Sequence, residues 1–196
     1  MKKRPKRRFA RRSDPVFWYD DQWEDRWLDE HYYRAPAAVS WYAEGPFPND
    51  WAWVTNQLAT GGMPLSTAEV TNLVRAGITH VVNCSDEYVL TAERVLEPDD
   101  RIRYLFNPTP DNGSWKSKEW FERTIDFVKP ALENGDRALV HCLCGSNRGP
   151  SSAYAVLRAM GTPKDEAEDL IRTARPRASL RYLPDAEDAV RNLLTA

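Results

Sequence analysis

The sequence predicts an α/β protein, a central and mostly parallel sheet flanked by helices, with an N-terminal extension in front of it. Three observations carry that expectation. From about residue 51, short apolar runs alternate with longer amphipathic segments, the pattern of a parallel sheet with crossover helices. Two of the runs, "ITHVVNC" and "RALVHC", are apolar enough to be buried strands. The region before them has another texture, since six of the eight tryptophans fall within the first 53 positions.

The elements run in order along the chain. "MKKRPKRRFARR" holds eight basic residues and no acid, so residues 1–14 repel one another and are expected to be a disordered tail. Such a tail serves solubility, or makes non-specific, salt-dependent contact with RNA or another anionic surface. In the acidic, aromatic stretch 15–50, Tyr19, Trp23 and Trp27 recur every four residues. That is one helix face, expected to pack on the body of the protein. "WAWVTNQLATGG" reads as a strand or hairpin ending at Gly61 and Gly62. "STAEVTNLVRAG" reads as a helix, with Ser66 and Glu69 spaced as a capping box and Gly77 as its stop. "IRYLFNP" is a further strand. "SKEWFERTIDFVKPALENG" places Phe121, Ile125, Val128 and Leu132 on one helix face and ends at Gly135, with Pro130 expected to kink or split its last turn. Thr162, Pro163 and Asp165 are spaced as cap, first position and box of another helix, and a last helix is expected over roughly 185–194.

Composition bounds the class. A hydrophobic fraction of 42% supports a real core, and 29% charged residues fit a water-facing surface. No apolar run of about eighteen residues predicts a membrane span, and no apolar segment comes after the basic N-terminus as in a secretory signal. Cys84, Cys142 and Cys144 are too few and scattered for a disulfide framework. They read as thiols kept for reactivity or packing, in a cytoplasmic protein.

The chemistry concentrates in "ALVHCLCGSNRGPSSAYAVLRAMG", residues 138–161. A buried strand there feeds a loop and then a helix beginning near Arg148, which puts Cys142 at the carboxyl edge of the sheet, where ligands bind. A helix N-terminus presents unpaired N–H groups and partial positive charge, a ready site for a tetrahedral oxyanion. Gly145 lets successive amides turn inward, and Arg148 can fork onto two phosphate oxygens. Leu143, Cys144, Gly145, Ser146, Asn147 and Arg148 are therefore the candidate phosphate cradle. The same field favours a thiolate at Cys142. Cysteine with arginine six positions on is a weak pattern alone; His141, Gly145, the strand and the helix make it specific. A metal site would need a ligand beyond His141, Cys142 and Cys144, and adjacent residues on a tight loop seldom face one ion, so no metal or other cofactor is expected. His31 and His80 stand alone and read as surface or core residues.

"VHCLCGSNRGPSSAYAVLRAMG" resembles the signature of the cysteine-dependent protein phosphatases, specifically the small dual-specificity branch. The resemblance covers about residues 51–196. It extends to "NQLATGGMP", to "LVRAGITHVVNCSDE", and to "ARPRASL", which is similar to the Arg-Pro segment before the family's last helix. It implies a protein tyrosine phosphatase-like fold, Cys142 as nucleophile, and Arg148 with the loop amides on the phosphate. It also implies a general acid on a separate loop about thirty residues earlier. Asp111, in "NPTPDNGSW", lies 31 residues before Cys142. Its plainer reading is a turn residue, and Asp86 is the fallback acid. The implied reaction passes through a phosphocysteine intermediate on phosphotyrosine or phosphoserine/threonine of a protein substrate, with His141 orienting the loop.

Three departures stand out. Gly149 occupies the place of a Ser or Thr whose hydroxyl helps the thiolate leave, while Ser151 and Ser152 come later, so turnover of the intermediate is expected to be slow. Asn147 resembles the Asn-Arg of the RNA 5′-triphosphatase branch, which keeps a triphosphate end of RNA as the alternative substrate. A binding-only pseudophosphatase is the other alternative, opposed by the presence of Cys142, Arg148 and Asp111 together. Finally, in some members a second thiol traps the oxidised nucleophile. Cys84 and Cys144 are the candidates, or else two small packing residues.

Overall fold

The computed structural model describes residues 50–64, 66–86 and 101–191. All of them belong to the second of two units, Gly45–Ala196. The basic tail, the Tyr19–Trp23–Trp27 face and His31 lie outside the described residues.

Among the described residues one sheet is formed by β1 (Trp51–Trp53), β2 (Leu58–Gly61), β3 (His80–Asn83), β4 (Arg103–Phe106) and β5 (Ala138–His141). Its order is β1-β2-β5-β3-β4. The expected hairpin is β1–β2, the antiparallel pair at one edge, and the other three pairings are parallel. Leu58 and His80 both register with Ala138, so Gly61, Asn83 and His141 finish level with one another. The loops leaving those three residues therefore emerge together at the carboxyl edge of the sheet, where ligands bind in such folds.

The helices are α1 (Thr67–Arg75), α2 (Lys118–Glu133), α3 (Arg148–Ala159), α4 (Lys164–Ala174) and α5 (Leu183–Val190). Alternation along each central strand sorts them into layers. Leu58, Val82, Ala138 and Val140 face a core built from Phe121, Ile125 and Val128 of α2, Tyr154 and Val156 of α3, Ile171 of α4 and Ala186 of α5. Their neighbours Ala59, Val81 and Leu139 face the other way, onto Val70 and Leu73 of α1. Each of the larger buried side chains among these, the valines, leucines, isoleucines and phenylalanine, contributes about 1.5–3 kcal/mol. The face expected for α2 is buried, and α3 is enclosed from Arg148 to Leu157. Tyr154 and Arg158 of α3 both donate to Glu187 of α5, tying the two helices together across the core.

Local signals behave largely as the sequence predicts. The N–H of Glu69 donates to Ser66 Oγ at 3.2 Å, and Gly77 stops α1 at φ +80°. Three expectations are corrected. Of the expected kink or split at Pro130, the split does not occur: α2 runs on to Glu133, with Pro130 in its last turn costing the N–H that would reach one carbonyl. Thr162 does not cap α4: the helix begins one residue later, with Pro163 as N-cap and no side-chain cap. The Thr162 carbonyl instead accepts from Arg158 Nη1, closing the end of α3. Helix α5 starts at Leu183, two residues before the expected 185, and residues 192–196 lie outside the described set.

Candidate active site

Residues 142–147 form the loop between β5 and α3, and its shape is set by where its carbonyls go. The Leu143 carbonyl accepts from the Met63 N–H at 3.1 Å, and that of Ser146 from the Ser179 N–H at 2.8 Å. Arg175 takes the two between, Nη2 donating to the Cys144 carbonyl and Nε to that of Gly145, both at 3.3 Å. Four successive carbonyls are thus drawn outward. In a planar trans peptide the next N–H points the opposite way, so the amides of residues 144–147 turn into the loop as a nest. Gly145 makes this possible: its φ is +59°, and a Cβ there would lie 2.3 Å from the Gly61 carbonyl carbon. Arg175 is itself held by Asp50, Nη1 to Oδ1 at 2.6 Å, and the Asp50 carbonyl accepts from the Gly62 N–H.

Cys142 is buried at the start of the loop, its N–H donating to the Gly61 carbonyl at 3.3 Å. His141 is fully buried before it, with Nδ1 3.4 Å from the Cys142 carbonyl. Burial pushes the imidazole down to about 4, partly countered by that carbonyl, so the ring is neutral. It braces backbone and carries no charge toward the thiol. Gly149 packs against the same strand end, where a Cβ would meet the His141 carbonyl carbon at 2.8 Å and the Cys142 nitrogen at 2.9 Å. Ser151 Oγ is buried without a hydrogen-bond partner among the described residues. Ser152 Oγ donates to Thr124 Oγ1 at 3.0 Å.

Arg148 opens α3 and is almost wholly buried. Its Nη1 donates to Asp86 Oδ1 at 2.7 Å and to the Thr109 carbonyl at 3.0 Å, and its Nε lies 3.6 Å from Asp111 Oδ2. Asp86 reaches it because the Asn83 side chain accepts from the Ser85 N–H, turning the chain just past β3. The fallback acid of the sequence therefore stands as the arginine's ion-pair partner.

Asp111 is carried by the loop after β4, and three anchors hold that loop. Asn107 Nδ2 donates to the Trp120 carbonyl and to Thr124 Oγ1, fixing its root. Lys116 is buried, with Nζ donating to the Pro110 carbonyl at 2.6 Å and lying over the Tyr182 ring. Burial lowers the lysine's pKa, against the pull of Asp111 and Asp185. The Lys116 N–H also donates to Asp185 Oδ2 of α5. At the carboxylate itself, Asn147 Nδ2 donates to Asp111 Oδ1 at 2.7 Å and the Tyr182 hydroxyl donates to the same oxygen at 2.8 Å.

The structure thus gathers Cys142, residues 143–148, His141, Asp111 and Asp86 at one edge of the sheet. Cys84 is there too: its N–H donates to the His141 carbonyl, and it comes directly after Asn83, the partner of His141 in register. It is buried, and burial first, then the neighbouring Cys142, raises its pKa well above the ordinary thiol range. Cys144 is exposed. His80 is a core residue, edge-on to Phe127. Sequence reasoning does not find Tyr182, Lys116, Arg175 or Asp50 as parts of the site. The one signal present is the "ARPRASL" segment, which contains Arg175.

A parallel sheet whose central strand delivers a buried thiol into an amide nest, with an arginine at the next helix and a carboxylate loop above it, defines the class of cysteine-dependent phosphatases. The chain belongs to the dual specificity phosphatase family, residues 64–182 matching its catalytic domain. It is 31% identical over 99 residues to human dual specificity protein phosphatase 8, an alignment covering 48% of this chain and 16% of that protein. Mouse dual specificity protein phosphatase 12 is 28% identical over 120 residues, covering 61% and 34% respectively. The chain therefore spans well under half the length of these relatives. Among solved structures, a putative mouse dual specificity phosphatase complexed with zinc tungstate superposes with a TM-score of 0.65 at 25% identity, covering 77% of this chain and 92% of that one. Tk-PTP in its active form gives 0.60 at 22%, covering 75% and 97%, a likeness of fold.

Proposed function

We propose that residues 51–196 are a catalytic domain that hydrolyses phosphomonoesters on phosphotyrosine or phosphoserine/threonine of protein substrates. The observation that carries this reading is that Asp111 is held to the end of the loop that starts at Cys142, bonded to Asn147 and facing Arg148, which supports charge stabilisation and proton donation at one site. Cys142 sulfur attacks phosphorus while the bond to the leaving oxygen breaks, and Asp111 hands that oxygen a proton. The resulting phosphocysteine is opened by water, whose proton returns to Asp111. Arg148 and the loop amides hold the equatorial oxygens, where charge gathers in the transition state, and Asp86 anchors the guanidinium through Nη1. Cys84 stands as the thiol that closes on Cys142 when the nucleophile is oxidised.

The RNA alternative rests on Asn147. Its side chain is engaged at both ends within the protein, by Asp111 and by the Arg181 N–H, so no RNA substrate is needed to account for it.

The test is hydrolysis of p-nitrophenyl phosphate by the wild type beside Cys142→Ser, with chelator and reductant. Activity confined to the wild type is the expected result. Equal rates in the two proteins, or none in either, would sink the reading.

A further inference from the structure

Asp111 has two carboxylate oxygens, and the structure treats them differently. Oδ1 receives both Asn147 Nδ2 and the Tyr182 hydroxyl, whereas Oδ2 faces Arg148. Neither donor can reverse. The Asn147 amide oxygen already accepts the Arg181 N–H at 2.7 Å, so the other end of that amide, which only donates, must be the one at Asp111. Tyr182 oxygen already accepts the Gly113 N–H at 3.1 Å, which leaves its single proton for Asp111. The phenol also stays protonated, since burial and then the Asp111 bond raise its pKa. The backbone is strained to keep this arrangement: Leu180, directly before Arg181, sits at φ +49°, a left-handed conformation that costs a non-glycine residue about 1–2 kcal/mol.

We infer that Asn147 and Tyr182 are positioning residues that saturate Oδ1 of Asp111, so that the catalytic proton is carried on Oδ2 alone, the oxygen turned toward the phosphate-binding arginine. Oδ1 already accepts two hydrogen bonds, at 2.7 and 2.8 Å, that a proton there would break, whereas Arg148 Nε lies 3.6 Å from Oδ2, beyond hydrogen-bond reach, so a proton on Oδ2 displaces no bond among the described residues. In the first step Oδ2 gives its proton to the leaving oxygen as the S–P bond forms and the P–O bond breaks. In the second, the same Oδ2 takes the proton from water as the new P–O bond forms and the S–P bond breaks. Without the two donors the carboxyl is free to rotate and its proton divides between two oxygens, so that the proton is less often presented on Oδ2.

This rests on the phosphatase reading and is tested separately from it. The readout is kcat/KM for p-nitrophenyl phosphate, whose leaving group needs little protonation, divided by kcat/KM for phenyl phosphate, whose leaving group needs much. kcat/KM reports the first chemical step even where the second is slow. Asp111→Asn sets the largest attainable rise in the ratio. Tyr182→Phe removes one hydroxyl and keeps the buried ring, and Asn147→Ser removes the other donor. Each is expected to raise the ratio about five- to tenfold, a fraction of the roughly 10²–10⁴ that a general acid supplies. Thermal melts accompany both, and either variant suffices if the other fails to fold. A ratio equal to the wild type's, whether both rates fall together or neither falls, overturns the inference and leaves the phosphatase reading standing. A wild type that hydrolyses neither ester overturns both.

Discussion

Arg175 and Asp50 pair at 2.6 Å on the outer side of the phosphate loop, and the guanidinium that makes this pair also holds two of the loop's carbonyls. Asp50 is partly exposed, so the ion pair alone contributes about 0–1 kcal/mol. The two bonds to carbonyls are charge-assisted and worth about 1.5–3 kcal/mol each. Arg175→Met is therefore expected to weaken binding of tungstate, a phosphate-like oxyanion, at least tenfold, and Asp50→Asn about threefold or less. Titration calorimetry measures both; unchanged affinity in Arg175→Met would show that the loop holds its shape unaided.

Gly149 bears on turnover. Position 149 has no hydroxyl and Ser151 Oγ is bonded to nothing among the described residues, so on the phosphocysteine reading departure of the Cys142 sulfur is expected to be slow. Rapid mixing with an aryl phosphate is expected to give a burst of phenol approaching one equivalent, then a slower steady state. Gly149→Ser is not expected to cure this. Its Cβ would lie under 3.0 Å from the backbone of His141 and Cys142, an overpacking of about 1–3 kcal/mol that a thermal melt would register. A burst-free trace in the wild type would refute the expectation.

Cys84 and Cys142 leave the ends of adjacent parallel strands, a spacing of about 4.8 Å between strands that suits a disulfide. Peroxide is expected to oxidise Cys142 to a sulfenic acid. The Cys84 thiol then attacks that sulfur, an S–S bond forms and water leaves. Mass spectrometry should find the Cys84–Cys142 crosslink and full recovery of activity with reductant. In Cys84→Ser the same dose should produce irreversible loss, while Cys144→Ser should behave as wild type. A crosslink through exposed Cys144 would contradict the assignment.

His141 makes stability depend on pH. Its folded value of about 4 lies below the ordinary value of about 6.5, so between the two the unfolded chain binds a proton that the folded chain refuses. The contribution is complete above about 6.5 and is lost as pH falls toward 4, reaching about 3 kcal/mol. Urea midpoints for the wild type should therefore drop across this range more steeply than those of His141→Asn. Parallel slopes would mean that the imidazole is not the group responsible.

The strands and helices were legible because their signals are local. "RALVHC" alternates between two cores, and Ser66, Gly77 and Gly135 punctuate their own helices. The cradle 142–148 was legible for the same reason, being one contiguous strand, loop and helix start. Thr162 misled because its carbonyl is drawn into closing α3, a competition that spacing does not reveal. Asn147, Tyr182 and Lys116 were opaque as supports of the Asp111 loop. They act across 6 to 71 residues of chain, through side chains whose partners exist only once β4, α3 and α5 have docked. Asp50 and Arg175 are 125 positions apart, beyond any periodicity.

The outward pull on the loop carbonyls comes from Met63, Arg175 and Ser179, residues scattered over most of the domain. An unfolded or half-assembled chain carries the same Cys-x5-Arg letters but no nest, because nothing turns its amides inward. Oxyanion affinity is then a property of the finished tertiary structure, and the anion acts in return as a folding ligand. At a hundredfold excess over its dissociation constant it adds about 2.7 kcal/mol to the native state. Substrate and vanadate-like anions should accordingly raise the melting temperature and slow proteolysis in the helices α1 to α5, at sites far from the loop that binds them.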